Sequence, residues 1–111
     1  LKSHLMSISG GGAISFQIYN TNAVWFTDLI ILASTPANET IPQLRKDLTI
    51  LMINGTQDNR FPIEIVCERA ELVKHQVAKL TLVELPGDHF FFLSKTQEWR
   101  TAIRKHANYS P

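Results

Sequence analysis

Hydrophobic residues occur along the chain in short, mostly apolar runs and in one series with helical spacing. The runs have the length of strands and lie at Ser3–Ile8, Leu29–Ala33, Leu48–Ile53 and Leu80–Leu85. The second and third runs lack the polar alternation expected of a sheet with one face in water. Strands of this kind are covered on both faces, so the pattern predicts a parallel sheet between layers of helices.

Three other segments have the features of helices. Pro62 suits a first helical turn, and the apolar residues that follow have the spacing of one buried helix face; they are Ile63, Val66, Cys67, Ala70, Val73 and Val77. This spacing predicts an inert, buried thiol at Cys67. The segment Ser94–Gln97 has the pattern of a capping box and predicts the start of a last helix. The apolar stretch Ala13–Ile18 predicts a brief helix after the first strand.

The predicted order is strand, helix, strand, strand, helix, strand, helix. This alternation is typical of the α/β class, with a three-layer α/β/α arrangement and a mainly parallel sheet. The chain has 111 residues, the length of one ordinary domain. We therefore expect residues 1–111 to form a single domain.

Charge and composition exclude several kinds of partner and site. Eleven Lys and Arg residues against ten Asp and Glu give a net charge of +1, which provides no electrostatic reason to expect nucleic acid or an anionic membrane as partner. No apolar run approaches the roughly 20 residues of a membrane helix. Cys67 is the only cysteine, and the spacing of His4, His75 and His106 suggests no metal site. Cysteine and histidine usage thus indicates no metal site, and the single cysteine slightly favours a cytoplasmic location.

Polar residues able to do chemistry follow three of the predicted strands. Ligands bind beyond the carboxyl ends of the strands in a parallel α/β sheet, so these positions are candidates for a site. They are Ser9 in Ser-Ile-Ser-Gly-Gly, Asp58 in Asn-Gly-Thr-Gln-Asp, and His89 in Pro-Gly-Asp-His-Phe. Each has an ordinary alternative when taken alone, as a Ser in a Gly-rich turn, an Asp that forms a turn, and a structural His beside aromatic residues.

Taken together, the three motifs resemble the C-terminal half of the α/β-hydrolase superfamily, in which nucleophile, acid and histidine occur in this order. The residues from Ser7 to Gly11 resemble the G-x-S-x-G nucleophile elbow, with Ser7 in place of the first Gly. Gly55 and Asp58 match the family's G-x-x-D turn, and Pro86–His89 matches the context of its histidine. The resemblance covers nearly the whole chain, and the Gly-Asp-His-Phe-Phe stretch is weakly similar to type II thioesterases.

The resemblance implies a serine hydrolase of acyl esters or thioesters that works through an acyl-enzyme, without a metal or organic cofactor. Ser9 would be the nucleophile, His89 its base and Asp58 the residue that orients the imidazole. Gly10 would donate its backbone N–H to the oxyanion. Asp88 is a rival acid, but it adjoins His89 and is poorly placed to support that ring. Two alternatives stay open: an acyltransferase, and a non-catalytic hydrolase-like module that binds or pairs with another chain.

The family's earlier strands and its second oxyanion donor are not in this sequence. We therefore interpret the chain as a fragment or a naturally shortened homologue, with Leu1 as a cut end. The expected substrate is a small acyl ester or thioester. The first strand would lie inside a larger sheet, so its edge is expected to pair with a second copy of the chain or with a separate N-terminal half.

Overall fold

The computed structural model describes residues 4–9 and 27–109. Within these ranges the chain forms four strands, which are β1 (His4–Ile8), β2 (Asp28–Leu32), β3 (Thr49–Gly55) and β4 (Lys79–Leu85). The same ranges contain a 3₁₀ turn at Ile41–Gln43 and the helices α1 (Ile63–Gln76), α2 (Phe91–Ser94) and α3 (Thr96–Tyr109). None of these helices combines the length and the apolar character that crossing a bilayer needs. The predicted helix at Ala13–Ile18 lies outside the described residues.

The four strands form one sheet in the order β1-β2-β3-β4. Each strand runs parallel to its neighbour, and Leu29 of β2 aligns with Leu5 of β1 and with Ile50 of β3. The connection from β3 to β4 is a helical crossover through α1, as parallel neighbours require. The predicted α/β class and parallel sheet are confirmed.

Helices cover both faces of the two central strands. One face of these strands carries the buried side chains of Leu29, Ile31, Ile50 and Met52. They pack in one cluster with Val66, Ala70 and Val73 of α1. The other face carries the buried side chains of Ile30, Leu32, Leu51 and Ile53. They pack in a second cluster with Phe91 of α2 and with Trp99, Ala102 and Ile103 of α3. Successive side chains of a strand point to opposite faces, so an unbroken aliphatic run is what fills two cores at once. The three-layer arrangement is confirmed.

The ends of the central strands differ slightly from the predicted limits. Ala33 was expected within β2, but it has a positive φ of 59°, which ends the extended backbone. β3 continues beyond the predicted Leu48–Ile53 to Gly55, because it stays paired with β4 up to that residue. The extra length brings the carboxyl end of β3 level with the end of β4 at Leu85.

The prediction of a capping box at Ser94–Gln97 is wrong. Ser94 is the last residue of α2, and its hydroxyl donates a hydrogen bond to the carbonyl oxygen of Phe91 at 3.4 Å. Phe91, the first residue of this short helix, is completely buried and packs in the core on that face of the sheet. α3 begins two residues later at Thr96, with the N–H of Trp99 donating to the carbonyl of Lys95.

The prediction that Cys67 is buried is also wrong. The buried residues of α1 are Val66, Ala70 and Val73, and Cys67 lies beside this stripe, exposed near the outer strand β4. Partial desolvation, aided by the carboxylates of Glu84 and Glu64, raises the pKa of the Cys67 thiol. The thiol is therefore neutral at pH 7, which disfavours a nucleophilic role.

A buried polar cluster joins the last helix to the amino-terminal end of the sheet. His106 of α3 lies with Nε2 2.6 Å from the Asp28 carboxylate at the start of β2. The Thr49 hydroxyl donates to the same carboxylate oxygen at 2.5 Å. Both Asp28 and His106 are buried, so the hydrogen bond between them replaces hydrogen bonds that these groups would otherwise form with water. The pair thus fixes the carboxyl end of α3 against β2.

We predict that His106→Ala lowers the free energy of unfolding by about 3–5 kcal/mol, because it leaves the Asp28 carboxylate buried without its imidazole partner. The matched control is His75→Ala, since His75 is exposed and lies 3.5 Å from Glu71 on the surface of α1. This control should cost about 0.5 kcal/mol or less. Urea unfolding followed by circular dichroism measures both. Equal, small losses in the two variants would contradict a stabilising role for the buried pair.

Candidate active site

The three predicted site residues lie together at the carboxyl edge of the sheet. Ser9 directly follows β1, Asp58 lies three residues after β3, and His89 lies four residues after β4. The Ser9 Oγ is 2.6 Å from Nε2 of His89, and Nδ1 of His89 is 2.8 Å from Oδ2 of Asp58. The structure therefore joins all three in one chain of hydrogen bonds. Gly10, the predicted oxyanion donor, lies outside the described residues.

Ser9 has a strained backbone conformation. Its φ is 57°, a left-handed value that residues with a side chain rarely adopt. The backbone N–H of Ser9 donates to the carbonyl of Leu32 at 2.7 Å, which holds the turn against the end of β2. A sharp turn of this kind directly after a strand raises the side chain above the sheet edge, as in a nucleophile elbow. Ser7, which occupies the family's first Gly position, pairs with Ile31 within the sheet and does not prevent the contact of Ser9 with His89.

Asp58 is oriented by the backbone of the loop that follows it. Its Oδ1 accepts the N–H groups of Arg60 at 2.7 Å and of Phe61 at 3.0 Å. This leaves Oδ2 for His89, and the Asp58 side chain is fully buried. Asp58 therefore forms a turn and also contacts the imidazole, so its turn-forming role does not prevent the contact with His89.

His89 is almost completely buried, at 2% exposure, and is surrounded by aromatic rings. Phe61 stacks on the imidazole with a centroid distance of 5.8 Å and an interplanar angle of 24°. Phe90 and Phe92 present approximately perpendicular rings at 5.4 and 6.4 Å. Because the Asp58 carboxylate can only accept, Nδ1 of His89 is the donor in this hydrogen bond, and the neutral ring carries its proton on Nδ1. Nε2 is then the atom that accepts the Ser9 O–H.

Gly55 allows the loops that carry Asp58 and His89 to meet. A Cβ atom on Gly55 would lie 2.5 Å from the carbonyl oxygen of Gly87 and 2.6 Å from that of Asp88, closer than real contacts permit. The N–H of Gln57 donates to the Gly87 carbonyl at 2.9 Å, which fixes the two loops together. The sequence marked Gly55 only as part of a turn motif, and its contact with the second loop requires the three-dimensional fold.

Asp88 does not contact the imidazole as an acid would. It is exposed, and its Oδ1 accepts the N–H of Phe90 at 2.9 Å, which makes it a local turn residue. The described residues also contain no group of three or more His, Cys, Asp or Glu side chains able to hold a metal ion. Within the described residues, Ser9, Asp58 and His89 are the side chains that form a continuous hydrogen-bonded series at this edge of the sheet.

Two solved structures are similar to this chain over almost its whole length. A predicted CIB-like hydrolase from Thermoplasma acidophilum superimposes with a TM-score of 0.75 at 21% identity, covering 96% of this chain and 51% of the other. An alpha-beta serine hydrolase homologue from Coxiella burnetii gives a TM-score of 0.70 at 23% identity, covering 93% and 48%. The chain thus has a partial α/β-hydrolase fold and spans about half the length of these proteins. No protein-family model matches the sequence, and no curated protein matches it.

We predict that Gly55→Ala displaces the Gly87–Asp88 loop and disrupts the hydrogen bond between His89 and Asp58. The added methyl group would overlap two backbone carbonyl oxygens, which cannot rotate away as a side chain can. The imidazole Nδ1–H resonance in a proton NMR spectrum should shift or disappear. Thr56→Ala, at the exposed neighbouring position, is the control and should preserve it. An unchanged resonance in Gly55→Ala would contradict this role of the glycine.

Proposed function

We propose that this chain carries the nucleophile, base and acid of a serine hydrolase that acts on acyl esters or thioesters. The observation that supports this most strongly is the hydrogen-bonded series from Ser9 through His89 to Asp58 at the carboxyl edge of the sheet. A histidine with a purely structural role can also bind a carboxylate. Such a role does not require that a serine hydroxyl contact the other ring nitrogen, or that this serine lie in a strained turn. The strain at Ser9 therefore favours catalysis.

The proposed reaction uses each of the three side chains in turn. The Ser9 Oγ attacks the acyl carbonyl carbon while Nε2 of His89 takes the hydroxyl proton. The resulting imidazolium is stabilised by the Asp58 carboxylate and gives its proton to the leaving alcohol or thiol. Water then attacks the acyl-enzyme while His89 takes a proton from it. The imidazolium returns that proton to the Ser9 Oγ as the bond between Oγ and the acyl carbon breaks and the carboxylic acid leaves. Gly10 is the proposed donor to the oxyanion in both tetrahedral intermediates.

The surroundings of His89 suit an apolar acyl group. Phe90 is 49% exposed and Leu93 is 72% exposed, and both lie within four residues of the imidazole in the sequence. Phe61 and Phe92 both contact the imidazole, and the Phe92 ring lies 6.0 Å from that of Phe90. An acyl chain lying on this surface would be desolvated, whereas a polar leaving group would remain towards water. We therefore favour esters or thioesters of apolar acids.

The complete enzyme is proposed to need further chain beside β1. In the described sheet β1 has a strand neighbour on one side only, which is β2. Met6 and Ile8 are 43% and 39% exposed, although the corresponding residues of β2 are buried. Since similar hydrolases are about twice as long, the proposal is that an N-terminal half or a second copy pairs with β1. The same observation favours the second candidate function, a pairing module without activity of its own.

We predict that Ser9→Ala and His89→Ala each lower the hydrolysis rate of a short-chain p-nitrophenyl ester or an acyl thioester by at least about 10³-fold, because the nucleophile or its base is removed. Asp58→Asn should also be strongly impaired, since it can no longer stabilise the imidazolium. The control is Asp88→Asn, which alters the exposed carboxylate next to His89 and should retain activity. Circular dichroism confirms folding. Full activity in Ser9→Ala, or no turnover by the unaltered chain, would favour the pairing module.

We predict that the purified chain sediments as a dimer or larger species at micromolar concentration. Exposed strand edges pair with other strands, and β1 has no Lys or Pro between Leu5 and Ile8 to prevent this. Met6→Lys places a charge on the exposed side of β1 and should shift the population towards monomer. A single monomeric species with a cooperative thermal transition would contradict the need for a partner.

A further inference from the structure

We propose that two copies of the chain pair through the outer edge of β4, antiparallel to each other about a two-fold axis. In the described part of the chain, β4 has one strand neighbour, β3, and lies at the opposite end of the sheet from β1. The strand spans seven residues, Lys79–Leu85, and contains no proline that would interrupt pairing. Chain that joins the sheet at β1, as proposed above, would leave this second edge open.

The hydrogen bonds to the preceding chain show which backbone groups of β4 point outwards. The N–H of Lys79 donates to the carbonyl of Leu48 at 3.4 Å, and the carbonyl of Leu85 accepts the N–H of Thr56 at 2.9 Å. Backbone groups of successive residues in a strand point to opposite sides, so the odd-numbered residues of β4 face β3. The residues whose N–H and C=O groups point to the free edge are therefore Leu80, Leu82 and Glu84.

One antiparallel register uses all of these outward groups. When Leu82 lies opposite Leu82 of the second copy, Leu80 lies opposite the second copy's Glu84. Opposed residues whose backbone groups face each other exchange both of their N–H···O hydrogen bonds. Moving the axis to Thr81 would place Glu84 opposite Ala78, whose N–H already donates within its own copy. The register centred on Leu82 therefore satisfies the edge most completely.

The side chains of β4 are less covered than those of the central strands. All five residues of β2 are buried, whereas the middle residues of β4 are only partly buried; they are Leu80, Thr81, Leu82 and Val83. Grooves of about 330 Å³ towards α3 and about 270 Å³ towards α1 flank the strand. In the proposed register Leu82 meets its own copy on one face and Thr81 meets Val83 on the other, which removes more of this surface from water.

The charges on the α1 side of β4 suit an antiparallel second copy. Lys74 and Leu80 line the same groove, and Leu80 lies near the amino end of the strand. Glu84 lies near the carboxyl end of the strand. In the proposed register Glu84 of the second copy lies opposite Leu80 and therefore beside Lys74, and the two-fold axis repeats this contact. Glu71, the other charged residue of the groove, contacts His75 of its own helix.

The α3 side has the same polarity. Glu98 and Lys105 both line the groove between α3 and β4. The last turns of α3 lie at the amino-terminal ends of the strands, because His106 contacts Asp28. Lys105 is therefore at the amino end of the groove and Glu98 towards the carboxyl end. An antiparallel copy brings opposite charges together on both sides of the sheet, whereas a parallel copy would align like charges. This complementarity favours a second copy of the chain as the occupant of the edge.

The Met6→Lys variant separates this contact from pairing at β1, because it places a charge on the β1 edge. The β4 interface is small, and small interfaces associate weakly, so we expect a dissociation constant on the order of 100 µM. Sedimentation equilibrium of Met6→Lys between about 10 and 500 µM should therefore show a reversible monomer–dimer equilibrium. Absence of self-association over this range would overturn the proposal.

Charge variants in the Met6→Lys background test the proposed register. Lys74→Glu and Glu84→Lys should each weaken dimerisation at least about tenfold, because like charges then meet at both symmetric contacts. An equimolar mixture of the two should restore it, since each copy then presents the opposite charge to the other. Lys46→Glu makes the same change of charge at an exposed position in the connection before β3 and should have no effect. Dimers that survive both variants, or a mixture that stays monomeric, would overturn antiparallel pairing at β4.

Amide hydrogen exchange followed by NMR locates the contact independently. As the concentration of Met6→Lys rises, the N–H groups of Leu80, Leu82 and Glu84 should exchange more slowly, because pairing takes them out of water. The same measurement on the unaltered chain serves if Met6→Lys fails to fold. Slowing confined to β1 would assign self-association to the other edge of the sheet and overturn the proposal.

Discussion

The parallel alignment of the four strands is the constraint on which the candidate site depends. Because all carboxyl ends meet at one edge, residues 80 positions apart in the sequence, such as Ser9 and His89, can form a hydrogen bond of 2.6 Å. The loops after β3 and β4 must also approach each other closely, and a side chain at position 55 would keep them apart. Gly55 removes that obstacle, so the Asp58 loop rests directly on the backbone that leads to His89.

Two buried Asp–His pairs lie at opposite ends of the same sheet, and their surroundings separate their roles. Asp58 has one oxygen occupied by backbone N–H groups, and the outer nitrogen of its partner His89 faces the Ser9 hydroxyl. Asp28 instead accepts a hydrogen bond from the Thr49 hydroxyl beside His106, and within the described residues no serine contacts that ring. The same pair of side chains thus stabilises a helix at one end and, in our proposal, activates a nucleophile at the other.

The sequence was sufficient to predict the parts of the molecule that depend on local pattern and order. The aliphatic runs at Leu29–Ala33 and Leu48–Ile53 predicted strands buried on both faces, because only such strands omit polar residues altogether. The exposure of Cys67 was not predictable in this way, since it depends on how far the outer strand extends beside α1. The prediction of a capping box at Ser94–Gln97 failed for a related reason. It used only the local preference of Ser94 for a helix start, whereas Ser94 ends a short helix that begins at the buried Phe91.

In our proposal, the Ser9 hydroxyl is a nucleophile activated by His89. Its most direct test is treatment of the chain with a reactive alkyl fluorophosphonate, followed by peptide mass spectrometry to locate the adduct. We expect one adduct, on Ser9, that is lost in His89→Ala and retained in His75→Ala. Absence of an adduct, or labelling spread over several serines without dependence on His89, would contradict it.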